Sequence, residues 1–364
     1  MIAQLSMSSA KGGLELSTIK LAEDFAKAGA TSIVICRTNS FIETASKEKH
    51  LTTFALNPKS KYFNFGASLR LRTFLVNSKV KAIYVHSLRD LWLLYPALAG
   101  IHDIQVIGFA HMFVRNVNKK DFLHQKIYSK LKYLVALTHL QKRELLKCLP
   151  VPEAKYVVIP NGVDIQKFSP AEKPTSILNS WHVKPQQKVI GYVGRLDPQK
   201  GVFEFLEAIS LLKHRDDLKF VMIGDDTWPS KPTYNKMIER IAELNFGDRL
   251  VLAPFSDDVP ELMRALDIFV MPSYEETFGL VLIEAMSTGL PCISTRAGGP
   301  PEILEDGEYG LLISPRAAAP ITQAIEELLD NPELAKRYGD KARKKAVAHY
   351  DSHLIFNKIK SLID

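Results

Sequence analysis

Short apolar runs alternate with segments of helical periodicity along the whole chain. In the first half, strands are predicted at residues 2–7, 32–36, 82–86, 105–110, 134–137 and 156–159. The second half has matching runs at residues 189–193, 219–223, 250–253, 268–271, 292–295 and 310–313. Strands that alternate with helices in this way form parallel sheets covered by helices. Each half therefore predicts a doubly wound α/β domain of its own.

A break in this pattern predicts where the two domains meet. Residues 163–176 carry proline and charge without periodicity, which is typical of a linker. A chain of 364 residues is also too long for one ordinary core. We therefore expect an N-terminal domain over residues 1–165, a C-terminal domain over residues 166–350 and a final helix over residues 351–364.

Composition narrows the class of protein. Hydrophobic residues make up 46% of the chain and charged residues 24%, as in soluble globular proteins. No run of about 18 apolar residues is present, and the N-terminus lacks the basic start and long apolar centre of a signal peptide. Cys36, Cys148 and Cys292 are far apart in apolar sequence, which predicts buried free thiols. These features indicate a cytoplasmic protein.

Positive charge is concentrated in the first half of the chain. Residues 1–165 contain 23 Lys or Arg and 11 Asp or Glu, whereas the remainder contains 24 and 29, and the formal net charge is +7. This asymmetry indicates an anionic partner, either a membrane surface or a phosphorylated acceptor, and nucleic acid is the least favoured option. We expect no nucleic-acid partner.

Two basic and apolar stretches, residues 59–81 and 119–134, suggest where a membrane would be met. At helical spacing the second stretch would line one face with Phe122, Ile127, Leu131 and Leu134. Its cations would surround that face: Lys119, Lys120, Lys126, Lys130 and Lys132. Such a helix can lie on anionic lipid. Core packing with a solvated basic face is the alternative, and the charge asymmetry favours peripheral contact with the inner face of the cytoplasmic membrane.

Residues 272–286, PSYEETFGLVLIEAM, place two carboxylates at either end of a helix start. The helix is predicted to begin near Phe278, so the backbone N–H groups of Phe278, Gly279 and Leu280 would be free to bind a diphosphate. Glu284 would then reach the hydroxyls of a ribose, while Glu276 faces the other end of a nucleotide-sugar. The alternative is a solvated loop and an ordinary core helix.

Two further loops carry groups suited to an anionic ligand. Arg195 follows a predicted strand and Lys200 precedes a helix, so both cations can converge on one diphosphate and stabilise the charge it gains on leaving. Gly12 and Gly13 lie between the first strand and a helix predicted to start near Leu14, where they allow a tight turn. Because two cations are already present, we expect no metal and no cofactor.

Several motifs in order resemble the retaining glycosyltransferases of family four, also called group 1. They are SSAKGGLEL at 8–16, IPNGVD at 159–164, GYVGRLDPQKG at 191–201, two glutamates separated by seven residues and ending in Glu-Ala-Met at 276–286, and AGGPPEIL at 297–304. The resemblance extends over nearly the whole chain and is weaker from about residue 38 to 149. One departure occurs after the strand at 219–223, where Asp226 stands in place of the family's second glycine.

The resemblance implies a GT-B fold, in which two Rossmann-like doubly wound domains face each other across a cleft. The C-terminal domain would bind the donor, the N-terminal domain would present the acceptor, and the last helix would cross back to the first domain. It also implies a role for His111 beside the donor sugar, and His86 is a weaker candidate for the same role.

The implied activity is transfer of a hexose-type sugar with retention of anomeric configuration. The donor would be a nucleoside diphosphate sugar, with a UDP-sugar favoured. The acceptor would be a hydroxyl of a glycan or of a lipid-linked and anionic molecule, as in cell-surface polysaccharide or lipopolysaccharide assembly. His111, Glu276, Arg195 and Lys200 are the expected catalytic residues. A sugar-nucleotide epimerase, a phosphorylase and a catalytically silent nucleotide-sugar-binding protein are the alternatives.

Overall fold

The computed structural model describes residues 1–364 with the exception of residues 61, 63, 115, 116, 229 and 257. The chain folds into two compact units, one of Met1–Pro160 with Ile355–Asp364 and one of Asn161–Leu354. The predicted boundary at residue 165 differs from this division. Val163 donates its N–H to the carbonyl of Tyr350 at 2.7 Å and accepts from the N–H of Ser352 at 2.9 Å, which fixes residues 161–165 to the second unit.

The first unit contains a parallel sheet of seven strands. They are β1 (Ile2–Ser6), β2 (Ser32–Arg37), β3 (Thr52–Leu56), β4 (Ala82–Val85), β5 (Gln105–Ala110), β6 (Tyr133–Ala136) and β7 (Tyr156–Val158). The strand order is β3-β2-β1-β4-β5-β6-β7, so the order reverses between β1 and β4. Six helices connect these strands: α1 (Gly13–Lys27), α2 (Phe41–Glu48), α3 (Phe65–Asn77), α4 (Leu91–Ala97), α5 (Phe122–Tyr128) and α6 (His139–Cys148).

The sequence prediction missed β3, which is one of the two edge strands of this sheet. Leu56 is its only fully buried residue, so the segment lacks the continuous apolar run that marks the central strands. Its two threonines and its phenylalanine are nevertheless strong strand formers, and they are the signal that could have found it. All other strands of both units were predicted to within two residues at each end.

The second unit contains a parallel sheet of six strands. They are β8 (Lys188–Val193), β9 (Leu218–Ile223), β10 (Leu250–Ala253), β11 (Ile268–Met271), β12 (Cys292–Thr295) and β13 (Leu311–Ile313), in the order β10-β9-β8-β11-β12-β13. Its helices are α7 (Thr175–Ser180), α8 (Val202–Leu211), α9 (Pro232–Leu244), α10 (Val259–Arg264), α11 (Leu280–Thr288), α12 (Pro300–Ile303), α13 (Ala318–Asp330) and α14 (Pro332–His349). The order of strands reverses between β8 and β11, which is where doubly wound sheets bind ligands.

The segment predicted as a linker, residues 163–176, is bound to the second unit. Arg343 donates from Nη1 to the carbonyl of Phe168 at 2.9 Å, and Arg264 donates from Nε to the carbonyl of Ser169 at 2.9 Å. The proline and charge in this segment therefore mark irregular backbone whose carbonyls are held by two arginines.

The last helix, α15 (Ser352–Lys360), packs into the core of the first unit. Ile355 and Ile359 are buried there, and the ring of Phe356 contacts that of Phe25 at 5.1 Å between centroids. Tyr84 donates its hydroxyl to the carbonyl of Ile359 at 3.1 Å. This helix therefore completes the sheet face that α1 covers only in part.

The basic stretch at residues 119–134 does not form the amphipathic surface helix that its spacing predicted. Helix α5 ends at Tyr128, and Ile127, Leu131 and Leu134 are buried in the first unit's core because the chain turns there into β6. Of the four predicted apolar residues only Phe122 lies on the surface, 72% exposed. Lys132 is also held internally, since its Nζ donates to the carbonyl of Leu362 at 2.8 Å.

The chain's three cysteines are free, and Cys148 is half-buried where a buried thiol was expected. Among the helices that the structure describes, none combines the length and the apolar character needed to cross a bilayer.

We predict that Ile359→Ala lowers the stability of the first unit. The substitution leaves a cavity beside Tyr84 and Phe25 and should cost about 2–5 kcal/mol of unfolding free energy. Leu354→Ala on the same helix is the matched control, because that side chain is exposed and should change stability by less than about 0.5 kcal/mol. Denaturant unfolding followed by circular dichroism measures both, and equal effects would contradict the packing role of α15.

Candidate functional site

The predicted site residues of the second unit gather at the carboxyl ends of β8 and β11, and a glycine pair follows the neighbouring strand β12. Arg195 follows β8, Glu276 follows β11, and Gly298 and Gly299 follow β12. These strands are neighbours in a parallel sheet, so the loops that follow them share one edge. The edge lies at the point where the strand order reverses, the position at which such sheets bind ligands.

Lys200 and Glu276 form a direct ion pair between Nζ and Oε1. The side chains remain 21% and 17% exposed, so the pair is accessible and partly desolvated. The site therefore brings together the cation predicted for a phosphate and the carboxylate predicted for a sugar, although 76 positions separate them in the chain. A ligand with a phosphate beside a hydroxyl group could replace this pair by contacting both members.

A close approach of two backbones holds the Lys200 loop against the Glu276 loop. Gly201 lies so near Pro272 that a Cβ at this position would overlap the Pro272 carbonyl. One residue before Lys200, Gln199 accepts a hydrogen bond at its carbonyl from the N–H of Tyr274 at 2.9 Å. The position of the lysine is thus set by main-chain contacts between the loops, which the sequence motif alone did not reveal.

The glycine pair after β12 holds Glu276 from the other side. Gly298 has a positive φ of 84°, and a Cβ there would overlap the carbonyl oxygen of Glu276. Gly299 donates its N–H to that same carbonyl at 2.8 Å, while the N–H of Glu276 donates to the carbonyl of Ala297 at 3.4 Å. The motif at residues 297–304 had no function predicted from the sequence, and in the structure its glycines fix the Glu276 loop.

Helix α11 begins at Leu280, two residues later than predicted. Gly279 adopts a left-handed conformation with φ 103° and ψ 64°, which cannot continue a helix, so Phe278 lies before the helix start. Within the part of the chain that the structure describes, no hydrogen bond is made by the N–H groups of Phe278, Gly279, Leu280 and Val281. These groups and the helix dipole make the start of α11 suitable for an anion.

Arg195 is exposed and forms no ion pair with any residue in the described ranges. Its backbone is nevertheless fixed, because the buried Tyr192 donates its hydroxyl to the Arg195 carbonyl at 2.6 Å. The neighbouring Leu196 donates its N–H to the carbonyl of Asp225 at 2.9 Å. An anchored backbone with an unpaired guanidinium can bind an anion without first breaking an internal contact.

Glu284 lies in the second turn of α11 and is mostly enclosed by protein. Burial raises the pKa of its carboxyl to about 8. No side-chain hydrogen bond or ion pair satisfies this carboxyl among the described residues, in contrast to Glu276. A partly accessible carboxyl without an internal partner is available to hydrogen-bond two adjacent hydroxyl groups of a ligand.

Asp226, the departure from the family pattern, binds the start of α9. Its carboxylate accepts the N–H groups of Trp228 at 3.0 Å, Thr233 at 2.8 Å and Tyr234 at 3.2 Å. Burial opposes ionisation of Asp226, but these backbone donors outweigh burial and lower its pKa. The residue is therefore used for structure, and it occupies a helix N-terminus that could otherwise bind an anion.

The glycine loop of the first unit differs from the tight turn that was predicted. Helix α1 starts at Gly13, and Gly12 has an extended backbone with φ −171°, so neither glycine needs a left-handed conformation. A Cβ at Gly13 would meet no atom within 4 Å. Ser8 donates its hydroxyl to the carboxylate of Glu15 beneath this loop. Gly13 therefore leaves open space at the helix N-terminus, whereas a Cβ at Gly12 would lie 3.3 Å from Oε2 of Glu15.

His111 and His86 follow adjacent strands of the first unit. His111 comes directly after β5 and is half-buried, whereas His86 comes directly after β4 and is 2% exposed. Burial lowers the pKa of His111 to about 4, so its imidazole is neutral at pH 7. Of these two histidines only His111 is accessible to a ligand. The burial of His86 argues against its predicted direct contact with the ligand.

Two family models match the chain in succession. The Glycosyltransferase Family 4 model matches residues 11–167, and the model for glycosyl transferases group 1 matches residues 175–345. Together they extend over nearly the whole chain, and the chain belongs to this family of glycosyltransferases.

Curated relatives match over part of their length. UDP-Gal:alpha-D-GlcNAc-diphosphoundecaprenol alpha-1,3-galactosyltransferase of Escherichia coli is 32% identical over 233 residues, 63% of this chain and 59% of that protein. N-acetyl-alpha-D-glucosaminyl L-malate synthase of Bacillus anthracis is 27% identical over 188 residues, 52% of this chain and 48% of that protein. The matched segments thus span about half to three fifths of these relatives.

Solved structures share the fold over the full chain. A glycosyltransferase from Rickettsia africae ESF-5 has a TM-score of 0.89 at 24% identity, covering 100% of this chain and 97% of that chain. HepE of Anabaena, solved in complex with UDP and glucose, has a TM-score of 0.82 at 20% identity, covering 99% and 98%. These likenesses and the two parallel sheets confirm the predicted GT-B fold with two Rossmann-like domains.

The unpaired carboxyl of Glu284 predicts a stability that depends on pH. The folded protein keeps its proton up to about pH 8, whereas the unfolded chain loses it near pH 4.5. Folding therefore takes up a proton between these values, and unfolding free energy falls as pH rises through this window.

Glu284→Gln should remove this penalty. We expect a melting temperature at least about 3 °C above that of the wild type at pH 8.5, and an equal one at pH 5. Glu327→Gln, at an exposed position of α13, is the control and should have no effect at either pH. Differential scanning calorimetry measures the transitions, and a pH-independent difference would show that Glu284 ionises normally in the folded protein.

Proposed function

We propose that the protein is a retaining glycosyltransferase that uses a nucleoside diphosphate sugar, preferably a UDP-sugar, and transfers a hexose-type sugar to a hydroxyl group. The observation that carries this proposal is the contact between Lys200 and Glu276 beside the start of α11. This contact unites a phosphate-binding cation, a sugar-binding carboxylate and free backbone donors at one edge of one sheet.

In the proposed complex each end of the donor meets a different part of this edge. Arg195, Lys200 and the N–H groups of Phe278, Gly279 and Leu280 bind the diphosphate. Glu284 accepts the two ribose hydroxyls, and Glu276 faces the transferred sugar. Gly12, Gly13 and His111 belong to the first unit. We assign Gly12 and Gly13 to the donor phosphates or the acceptor, and His111 to the transferred sugar and the acceptor.

The charges in the site favour departure of the diphosphate. In the transfer step the bond between the sugar C1 and the phosphate oxygen breaks, and its electron pair goes to the leaving diphosphate. The acceptor oxygen bonds to C1 on the same face, and its proton passes to the leaving phosphate oxygen. Arg195 and Lys200 stabilise the negative charge that grows on the diphosphate, so they bind the transition state more strongly than the ground state.

Front-face attack fits this site better than a covalent glycosyl-enzyme. A double displacement needs one carboxylate as nucleophile and a second group as acid and base. In the proposed complex Glu276 is the carboxylate beside the sugar, and its ion pair with Lys200 reduces its nucleophilicity. We propose no metal in the mechanism, because Arg195 and Lys200 supply the positive charge that a metal would otherwise provide.

The surface of the first unit supports an acceptor at an anionic membrane. Five exposed apolar side chains lie on two helices of this unit: Phe65, Leu69 and Val76 on α3, and Phe122 and Leu123 on α5. Exposed cations lie on these helices or close to them in sequence: Lys59, Arg70, Lys120 and Lys126. We propose that the protein acts in the cytoplasm at the inner membrane face, on a glycan or lipid-linked acceptor used in cell-envelope assembly.

We predict that Arg195→Ala and Lys200→Ala lower turnover more than they raise the apparent KM for the donor. Loss of one such cation should reduce kcat by about a hundredfold, because it stabilises charge that develops in the transition state. Lys184→Ala, at an exposed position of the same unit, is the control. Steady-state release of nucleoside diphosphate, measured with and without acceptor, gives both constants.

The same assay separates the alternatives. A change confined to KM would contradict the leaving-group argument. Conversion of the donor without an acceptor into an isomeric nucleotide-sugar would identify an epimerase, and binding without any product would identify a silent binding protein.

For the membrane proposal we predict that Lys120→Gln combined with Lys126→Gln weakens binding to vesicles that contain phosphatidylglycerol. Each cation near an anionic surface contributes about 1 kcal/mol, so the pair should lower the partition coefficient roughly thirtyfold. Lys336→Gln with Arg337→Gln removes two exposed cations of the second unit and should have no effect. Sedimentation is the measurement, and wild-type protein that stays in the supernatant at low salt would exclude the membrane partner.

A further inference from the structure

A hydrogen-bonded network of three side chains, Gln4, His86 and His111, extends across three neighbouring strands of the first unit. His86 Nε2 lies 2.9 Å from the amide oxygen Oε1 of Gln4, in the middle of β1. His86 Nδ1 lies 3.2 Å from His111 Nε2. Gln4 and His86 are both buried, so water does not compete for the contact between them. This network connects the centre of the sheet to its carboxyl edge.

Ring stacking fixes the geometry of the two imidazoles. The rings of His86 and His111 lie 5.4 Å apart between centroids and are inclined by 13°. The ring of Phe109 stacks on both, at 5.2 Å from His86 and 5.7 Å from His111. His86 also donates its backbone N–H to the carbonyl of Leu5 at 3.0 Å, which continues the ladder between β1 and β4. Neither imidazole can turn without disturbing the other.

The order of donors and acceptors follows from the atom at the buried end. An amide oxygen can only accept, so His86 Nε2 carries a hydrogen. Burial, followed by repulsion from His111, lowers the pKa of His86 well below its usual range, and the ring is neutral with a lone pair on Nδ1. Two lone pairs cannot face each other at 3.2 Å, so His111 Nε2 must donate. Its other ring nitrogen, Nδ1, then keeps its lone pair.

We propose that His86, oriented by Gln4, is a positioning residue that holds His111 as the neutral Nε2–H tautomer, with Nδ1 as a hydrogen-bond acceptor. His111 would then accept a hydrogen bond from a sugar or acceptor hydroxyl instead of donating one. The role towards a sugar hydroxyl rests on the proposed function, whereas the tautomer itself does not. The sequence marked His86 only as a second ligand contact, and the structure assigns it a different role.

The orientation of the Gln4 amide determines which atoms donate and which accept throughout the network of Gln4, His86 and His111. In the structure Oε1 faces His86, and the amide nitrogen has no partner among the described residues. The opposite orientation would place the amide nitrogen against His86 Nε2 and reverse each donor and acceptor. His111 would then be the Nδ1–H tautomer and would present a donor to the ligand. The two orientations thus predict opposite and distinguishable states of one imidazole.

Nitrogen-15 NMR of the histidine rings in the full-length protein tests the proposal. Two-bond correlations distinguish the two neutral tautomers and the imidazolium ion, and His111→Gln identifies the signals of His111. We expect the Nε2–H tautomer to dominate at pH 7 in the wild type. An Nδ1–H tautomer or an imidazolium ion at His111 would overturn the proposal.

Two variants of His86 separate hydrogen bonding from packing. His86→Leu removes the acceptor and should shift the tautomer ratio of His111 by about fivefold or more towards Nδ1–H. His86→Asn keeps an acceptor oxygen near the position of Nδ1 and should restore the wild-type ratio. An unchanged ratio in His86→Leu, with the fold verified by circular dichroism, would also overturn the proposal.

Activity of the same variants is measured separately. If the protein transfers sugar as proposed, His86→Leu should lower kcat/KM and His86→Asn should recover most of it, while UDP binding by the second unit stays unchanged. If no transfer is found with any donor, the proposed function fails, and the tautomer measurement still decides the role of His86.

Discussion

The close approach of backbones at the carboxyl edge of the second sheet is the constraint on which the candidate site depends. Gly201 lies against Pro272, and Gly298 lies against Glu276, each at a distance that a Cβ would not permit. These contacts bring loops from β8, β11 and β12 together and set Lys200 beside Glu276. Any larger residue at either glycine would separate the loops. The ion pair between Lys200 and Glu276 therefore depends on glycine at positions 201 and 298.

The site combines stabilising and destabilising elements. The charges of Lys200 and Glu276 neutralise each other, whereas the partly enclosed carboxyl of Glu284 has no internal partner among the described residues and costs stability near neutral pH. Arg195 and the free N–H groups at the start of α11 are likewise unsatisfied within the described structure. Groups left without partners at a functional edge are available to a ligand, and binding would recover part of that cost.

Much of the fold could be predicted because it is encoded in local apolar periodicity. Twelve strands follow that signal, whereas β3, at one edge of the first sheet, escaped it because only Leu56 is fully buried. The amphipathic prediction for residues 119–134 was wrong because helical spacing alone cannot show that the chain turns into β6 after Tyr128. Tertiary context overrode a correct local pattern.

Site chemistry was less accessible from the sequence than the fold. Motif spacing indicated Lys200, Glu276 and Glu284, but contacts between distant loops, such as Gly298 with the Glu276 carbonyl, depend on the folded sheet. The hydrogen-bonded network of Gln4, His86 and His111 links three strands and has no sequence signature at all. Such features are set by topology, which places the ends of parallel strands side by side.

Hydrogen–deuterium exchange with saturating UDP tests the central claim most directly. The account predicts slower exchange at residues 195–201, at the free N–H groups of residues 278–281 and at residues 297–299, with little change on the opposite edge of the same sheet. Two results would contradict the assignment of this edge as the nucleotide-sugar site. One is unchanged exchange in these three segments although calorimetry shows that UDP is bound. The other is unchanged exchange together with no detectable binding of UDP by calorimetry.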